Sequence, residues 1–324
     1  ALLGAAVMMI SALAGCGKNT KVVLTAGLKK NEVFRISSAS CVLPEVMVYL
    51  TNMQNQYESV YGSQIWNASD GQLSLEQEER EQVLTQLARI KVMNLLAQKK
   101  EVTLDDKEKE RAAAAGREYF TSLNSAEVTA LNVTQDLITK MYEEYALAEK
   151  VYQTIVENVN PEVSDDEART ITVDMIRVSD SAKASQVLGK AKEEGVDFET
   201  LAQAESEDQT VTQSFGKGEV SEALEKAAFN LGKDEISDVV ESDGSYYILK
   251  CISTFDEAQT KANKEKIVKQ RQSEAFDTEY TAFEQTLVRQ LNEELWNSVT
   301  MIHQDDVKTS SFFEVYQMYF QHQE

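Results

Sequence analysis

Apolar residues repeat at intervals of three and four over the first half of the chain, from about residue 32 to 160, which predicts a helical region. Pro44 suits the first turn of one helix, and Ser74 opens a second one with the spacing of a capping box. A third helix is predicted after Thr103, and the strongest pattern begins at Thr134. Its apolar stripe, which we interpret as core rather than as a ligand site, consists of Ile138, Met141, Tyr145, Ala148, Tyr152, Ile155 and Val159.

The pattern changes after Pro161. Proline lacks an amide proton and clashes with the preceding helical turn, so Pro161 predicts both a helix end and a domain boundary. The residues that follow predict a strand at 171–178, helices at 181–194, 198–204 and 222–229, and strands at 236–241 and 245–252. This order of elements is typical of a small α+β module.

Helical spacing returns in the last part of the chain. A long helix is predicted from about 257 to 297, with a stripe formed by Phe276, Tyr280, Phe283, Leu287, Leu291 and Leu295. Because the module is complete without this helix, we expect the helix to pack back on the first helical region. In the tail, Phe312, Tyr316 and Phe320 recur every four residues. They either close the helical core, which we favour, or form a surface for unfolded segments.

The first 15 residues are almost entirely apolar, and the chain becomes polar after Cys16. Because a bilayer span takes about 20 residues, the stretch reads as a signal segment, whose first residues we expect to precede this sequence. Residues 13–16, Leu-Ala-Gly-Cys, resemble the lipobox of bacterial lipoproteins. That resemblance implies cleavage before Cys16 and lipid attachment to its sulfur. The alternative is a buried core helix followed by an incidental cysteine.

These patterns predict an α+β fold, in which a small α+β domain is inserted into a mostly helical domain made of the N-terminal helices and the returning C-terminal helix. The predicted segments are the signal segment (1–15), the lipidated cysteine and tether (16–31), the helical domain (32–163), the α+β domain (166–256), and the long helix with the aromatic tail (257–324).

Charge and rare residues exclude several classes of function. The chain has 32 Lys and Arg against 54 Asp and Glu, a net charge of −22, which argues against nucleic-acid binding. Both histidines, His303 and His322, lie near the C-terminus, so we predict no histidine metal site and no cofactor. Besides Cys16, the chain has Cys41 and Cys251, far apart, and we expect two buried free thiols rather than a disulfide.

Several stretches of the α+β module resemble, in order, the second half of parvulin-type peptidyl-prolyl isomerases. They are Phe215-Gly216-Lys217-Gly218-Glu219-Val220, Leu224-Glu225-Lys226-Ala227-Ala228-Phe229, Glu235-Ile236-Ser237 and Ser245-Tyr246-Tyr247-Ile248-Leu249-Lys250. Met175-Ile176-Arg177-Val178 stands where the family's first strand carries His-Ile-Leu-Val, so the resemblance covers roughly residues 168–253. Together with the lipobox, the helical N-terminal region and the returning helix, the layout resembles the PrsA-like foldase lipoproteins and their SurA-like relatives.

The resemblance implies the position of a site. Parvulins use two facing histidines and an adjacent Cys or Asp. Met175 and Tyr247 occupy the two histidine positions, so the imidazole pair is absent. Asp208 aligns with the Cys or Asp, and Ser206 with a nearby hydroxyl. For Asp208 an exposed helix-end carboxylate is the alternative, and for Tyr247 a strand tyrosine packed in the core.

The resemblance also implies a substrate pocket. Val220 stands for the family's pocket Met and Leu224 for its pocket Phe, while Phe229 keeps an aromatic at the end of that helix. Isomerisation of an Xaa-Pro bond needs an apolar cup and hydrogen bonds to the twisted amide rather than a nucleophile or a metal. The predicted pocket is smaller in area than the family's.

Three functions follow as hypotheses. The first is a folding factor, lipid-anchored at the extracytoplasmic face of a bacterial membrane, whose parvulin-like domain isomerises prolyl bonds in newly exported or unfolded polypeptides. The second is a catalytically silent holdase chaperone of the same layout. The third, which the lipobox alone would permit, is a lipid-anchored solute-binding protein.

Overall fold

A computed structural model describes residues 27–68 and 74–320 of the chain. The signal segment, the lipidation candidate Cys16 and His322 lie outside the described residues. The strands are β1 (Glu32–Ile36), β2 (Ala39–Val42), β3 (Thr170–Val178), β4 (Thr212–Gly216), β5 (Val240–Ser242), β6 (Ser245–Ser253) and β7 (Arg289–Leu291). The fold class is α+β, as predicted.

Helices make up most of the described chain. They are α1 (Leu43–Tyr61), α2 (Leu75–Lys99), α3 (Asp106–Ser122), α4 (Ser125–Leu131), α5 (Gln135–Val156), α6 (Asp165–Ala168), α7 (Ser181–Ala191), α8 (Phe198–Glu205), α9 (Glu222–Phe229), α10 (Glu257–Glu284), α11 (Glu293–Asn297) and α12 (Phe312–Phe320), with a 3-10 turn at Ser63–Asn67. No helix in these described ranges is both long and apolar enough to cross a membrane.

The chain divides into two compact units. The helical unit contains the described residues up to Val156 and from Phe276 onward, and the α+β module is Glu157–Ala275. The module is thus inserted in sequence between two parts of the helical unit, and helix α10 contributes residues to both.

Local sequence explains where the helices of the helical unit begin. Pro44 lies in the first turn of α1, and Ser74 caps α2 in a capping box, both as predicted. Helix α3, predicted after Thr103, begins after Asp105, because the Asp105 carboxylate accepts the amide proton of Glu108 at 2.8 Å. The structure adds α4, which the apolar pattern did not indicate.

The long helix predicted over 257–297 is shorter in the structure. Helix α10 ends at Glu284, and the chain then forms β7, which pairs antiparallel with β1, Leu291 opposite Phe34. The prediction was wrong here because the spacing of three and four continued across residues whose backbone is instead hydrogen-bonded to a strand about 250 residues earlier in the chain.

The aromatic tail closes the helical core. Phe312 on α12 is 1% exposed and stacks on Tyr142 with ring centroids 4.5 Å apart. Tyr142 Oη donates a hydrogen bond to the Phe312 carbonyl at 2.8 Å, and Tyr316 is also buried. The core interpretation is therefore confirmed for Phe312 and Tyr316, while Phe320 stays half-buried.

The module is built on a four-stranded sheet with the order β4-β3-β6-β5, antiparallel throughout. Helix α9 has the predicted bounds, and strand β3 begins one residue earlier than predicted. Strand β4 was not predicted, and β5 is shorter than the predicted strand at 236–241, of which Ile236 makes only an isolated bridge. No parallel pairing of the kind needed for the solute-binding hypothesis occurs among the described strands.

Alternation along β3 gives the module's sheet two different faces. Ile171, Val173 and Met175 face one apolar cluster that includes residues of α9. Ile176 and Val178 face the other, which includes residues of α7 and α8. The first face carries the predicted site residue Met175, so the candidate site lies on the α9 side of the sheet.

The cysteines and the histidine in the described residues show no sign of a reactive or metal-binding role. Cys41 and Cys251 are buried free thiols, as predicted. Burial raises the pKa of the Cys41 thiol well above its usual value, which suppresses the reactive thiolate. His303 is exposed, and no group of His, Cys, Asp and Glu side chains suited to a metal ion occurs within 27–68 and 74–320.

Candidate functional site

The C-terminal end of strand β3 carries a polar cluster, held by the three residues that follow helix α8. The Glu207 amide donates to the carbonyl of Arg177 at 2.9 Å, and the Arg177 amide donates to Ser206 Oγ at 3.1 Å. Arg177 Nε donates to Asp208 Oδ1 at 2.7 Å. These bonds fix the predicted residues Ser206 and Asp208 beside Arg177 on the edge of the sheet.

Tyr247 lies next to this cluster, on strand β6 directly opposite Arg177. Its ring packs against the apolar cluster under α9 and is half-buried. Its hydroxyl makes no hydrogen bond with any residue that the structure describes. Of the two sequence interpretations, core packing thus applies to the ring, while the hydroxyl is free to bind a ligand.

An apolar cluster adjoins the polar cluster. Met175 lies opposite Leu249 on β6, and both belong to the cluster that includes Leu224 of α9. Met175 and Leu224 are each 8% exposed, and Val220, just before α9, packs against the same cluster and is half-buried. The structure therefore brings the predicted residues Met175, Val220 and Leu224 into one apolar floor with Tyr247 at its edge.

The orientation of α9 explains which of its residues reach the site. Ser242 Oγ donates to Ser221 Oγ at 2.7 Å, so the start of α9 lies by the turn between β5 and β6. That turn leads to Ser245, whose Oγ lies 3.5 Å from Arg177 Nη1. Leu224, in the first turn of α9, is thereby placed toward the polar cluster.

Phe229, at the other end of α9, lies away from this site. Its ring is 6.3 Å from Phe215, and the Arg169 guanidinium sits over it at 5.0 Å. Arg169 immediately precedes β3, and Arg177 is near the strand's other end, roughly 25 Å along at 3.3 Å per residue. The structure thus does not bring Phe229 together with Asp208.

The charges at the site are fixed by hydrogen bonds. The Asp208 carboxylate raises the pKa of Arg177 above its usual value, so the guanidinium stays charged at any physiological pH. Glu207 Oε1 accepts hydrogen bonds from the amide and hydroxyl of Ser179, each at 3.1 Å, and these lower its pKa. The rim therefore combines one cation with two carboxylates beside an apolar floor.

Arg177 is the site residue that sequence reasoning missed. It stands where the resembled family has Leu in His-Ile-Leu-Val, and its position shares a strand face with Val173 and Met175. A basic residue on an otherwise apolar strand face is the signal that could have identified it. The family pattern instead indicates the two histidine positions, which Met175 and Tyr247 occupy here.

Comparison with known proteins agrees with this module. The family described as PPIC-type PPIASE domain matches residues 158–266. Among curated proteins, the foldase protein PrsA of Streptococcus pneumoniae strain Hungary19A-6 is 31% identical over 165 aligned residues. The match covers 45% of this chain and 53% of the relative, so the chain spans about half the length of the curated relatives it matches.

Solved structures of similar proteins include PrsA from Bacillus cereus, at 18% identity and a TM-score of 0.40, covering 86% of this chain and 96% of that one. PrsA from S. pneumoniae Canada MDR_19A has 23% identity and a TM-score of 0.29, covering 76% and 92%. Residues 158–266 thus match the PPIC-type PPIase domain family, and the chain is similar in sequence to part of the PrsA foldase proteins.

Proposed function

We propose that this protein is a lipid-anchored, extracytoplasmic foldase whose module isomerises prolyl bonds in exported polypeptides. The observation that carries the proposal is the juxtaposition, at one end of the module's sheet, of an apolar floor and a polar rim. Met175 and Leu224 form the floor, and Arg177, Asp208 and Tyr247 form the rim.

This arrangement suits the chemistry of prolyl isomerisation. The barrier of about 18–20 kcal/mol arises from amide resonance, which is lost as the C–N bond twists. An apolar floor can hold the pyrrolidine ring and exclude water that would stabilise the planar amide, and nearby donors can bind the twisted form more tightly. No covalent step is required, so the absence of histidines from residues 158–266 does not preclude activity.

Exchange NMR on a short Ala-Pro peptide tests the isomerase activity directly. We expect the full chain to increase the rate of cis–trans exchange in proportion to its concentration. Leu224→Asp should abolish the increase because it places a charge in the floor. Val187→Ala, which alters the apolar cluster on the opposite face of the sheet, is the matched control and should retain the activity.

A folded wild-type chain that left the exchange rate unchanged would contradict the isomerase proposal. Folding of the module would be verified in the same sample by slow amide hydrogen exchange in β3 and β6, the central strands of its sheet.

The anchoring part of the proposal rests on the residues around Cys16. Each buried CH₂ of an acyl chain adds roughly 0.8 kcal/mol, so two or more chains hold a protein stably on a membrane. In a bacterial host, with a start codon and a basic segment placed before residue 1, we expect incorporation of labelled fatty acid and recovery in membranes. Cys16→Ser should lose both, and a labelled C16S protein would contradict the assignment.

A second candidate, the silent holdase, is favoured by one observation: neither family histidine is present, since Met175 and Tyr247 occupy their positions. The test is suppression of aggregation of reduced lysozyme. If wild type and Leu224→Asp suppress aggregation equally and neither accelerates exchange, the holdase alone describes the protein.

A further inference from the structure

We infer that Arg177 supplies the hydrogen-bond donor that stabilises the twisted prolyl amide at this site, with Asp208 as the residue that positions it. The inference rests on the proposed isomerase function and adds the residue that acts in it. It begins from a departure of this sequence from the resembled family, in which the position of Arg177 is Leu.

The guanidinium is held on one side and open on the other. Its Nε donates to Asp208 Oδ1 at 2.7 Å, and its Nη1 lies 3.5 Å from Ser245 Oγ. Its Nη2 makes no hydrogen bond with the residues that the structure describes, and the side chain is 29% exposed. The Nη2 group is therefore available to donate to a ligand, while the hydrogen bonds of Nε and Nη1 fix the plane of the guanidinium.

The available donor adjoins the apolar floor. Arg177 follows Met175 by two residues on the same face of β3, and Tyr247 lies directly opposite it on β6. A prolyl ring that contacts the exposed edges of Met175 and Leu224 would lie about two residues along β3 from Arg177.

Stability does not account for the arginine. Its partner Asp208 is 32% exposed, and ion pairs that are this open to water add little to folding. A Leu, as in the resembled family, would extend the apolar face of β3 instead. Ser206 and Glu207 are already docked on β3 by hydrogen bonds to the backbone of residue 177: its amide donates to Ser206 Oγ and its carbonyl accepts from Glu207 N, and any non-proline residue could make both.

The chemistry of the guanidinium fits the role. As the C–N bond twists, the prolyl nitrogen regains its lone pair and becomes a hydrogen-bond acceptor, which it is not in the planar amide. A fixed donor that binds this nitrogen lowers the barrier because its interaction forms only in the transition state. Arg keeps its charge at all physiological pH values, and its planar fork needs little reordering. No bond is made or broken, so no proton acceptor is required.

The test is exchange NMR with the full chain and an Ala-Pro peptide, comparing Arg177→Leu and Arg177→Lys with wild type. We expect R177L to lower the catalysed rate by about tenfold to a hundredfold, mainly through kcat, and R177K to recover only part of it. Arg271→Leu is the matched control, since Arg271 is 33% exposed, pairs with Glu167 and lies in the same module. It should retain the wild-type rate.

The role of Asp208 as a positioning residue has its own readout. Asp208→Asn keeps an oxygen that can accept from Arg177 Nε and should retain most activity, whereas Asp208→Ala should approach R177L. Adding D208A to R177L should cause little further loss. A purely structural Asp208 would show additive effects and no rescue by Asn.

A pH profile separates this mechanism from one that uses a titrating group. The catalysed rate should be flat from about pH 6 to 9, because a guanidinium does not titrate there. If R177L, with slow hydrogen exchange retained in β3 and β6, were as active as wild type, the role of Arg177 would be wrong while the isomerase function stood. If wild type itself were inactive, both would fail.

Discussion

Each of the two units contains a cation held by carboxylates, and the two differ in their exposure to water. In the helical unit, Lys91 is 1% exposed and lies 2.8 Å from Glu45 Oε1 and 2.5 Å from Glu144 Oε2. In the module, Arg177 is 29% exposed and pairs with Asp208. The first is surrounded by protein, and the second keeps one nitrogen open to solvent.

This difference in exposure distinguishes a charge cluster that stabilises the fold from one that is a candidate for function. Burial alone would lower the pKa of Lys91, but Glu45 and Glu144 raise it above its usual value, so the triad is charged and each member depends on the others. Removing one member leaves uncompensated charge in the core. Loss of Arg177 leaves no buried charge without a partner, because water can solvate both Arg177 and Asp208. A charge that folding does not require, beside an apolar floor, is a candidate for binding.

The largest expected effect comes from breaking the buried triad. Lys91→Met leaves Glu45 and Glu144 with only the exposed Lys140, at 4.0 and 3.4 Å, and Glu45 remains fully buried, which should destabilise the helical unit by about 3–5 kcal/mol. Both tryptophans of the chain, Trp66 and Trp296, are buried in this unit, so urea unfolding followed by tryptophan fluorescence reports on it alone.

The matched variant for K91M removes all three charges together. K91M with Glu45→Gln and Glu144→Gln should recover part of the lost stability, because neutral amides cost less to bury than unpaired carboxylates. If K91M alone unfolded at the wild-type urea concentration, the triad would not be the structural element inferred from its burial.

The second effect depends on pH. Glu79 is 1% exposed, its Oε1 has no hydrogen-bond partner among the described residues, and burial raises its pKa from 4.5 to about 7. Because the folded state holds Glu79 neutral, its contribution to stability is present below about pH 4.5 and is lost as pH rises through 7. The shift corresponds to about 3 kcal/mol at most.

Glu79→Gln should therefore leave stability unchanged near pH 4.5 and increase it progressively to about pH 8, measured by the same fluorescence-detected unfolding. Burial raises the pKa of Glu149 in the same direction, although Tyr316 Oη donates to it at 2.6 Å. Some pH dependence should thus remain in E79Q. An equal pH dependence in wild type and E79Q would show that Glu79 is hydrated rather than buried.

The sequence predicted the elements whose signal is local. The capping box at Ser74 and the proline in the first turn of α1 follow from spacing alone, and both are confirmed. Of the stripe predicted for α5, Ile138, Met141, Ala148 and Ile155 are buried, Tyr145 and Tyr152 are half-buried, and Val159 lies beyond the end of the helix. Strand β7 could not be predicted in the same way. Its three residues continue a helical spacing, and only pairing with β1, far away in sequence, makes them a strand.

The site was predictable where a family pattern supplied a template. Met175, Asp208, Tyr247 and Leu224 were named from the resemblance, and the structure places them around one end of the sheet. Arg177 was not named, because its interest arises from the face of β3 that it shares with Met175 and from docking of the segment 206–208. Both features belong to the tertiary structure and cannot be seen in the sequence pattern.

The third prediction concerns the end of the module opposite the site. Phe229 is half-buried between Phe215 and Arg169, so Phe229→Ala should destabilise the module by about 1–2 kcal/mol. Hydrogen exchange should accelerate in peptides from β3 and β4, while the tryptophan-detected transition of the helical unit stays where it is. A shift of that transition would mean that the two units do not unfold separately.

The smallest expected effect is that of Arg177→Leu on stability, and it completes the comparison with Lys91. Leu suits the apolar face of β3, and the hydrogen bonds that dock Ser206 and Glu207 use only the backbone of residue 177. Hydrogen exchange in β3 and β6 should thus be the same in R177L and wild type. K91M, in contrast, should destabilise the helical unit. Faster exchange in R177L would show that Arg177, like Lys91, stabilises the folded state. A cation whose loss opens the sheet is required for structure, whether or not it also binds a substrate.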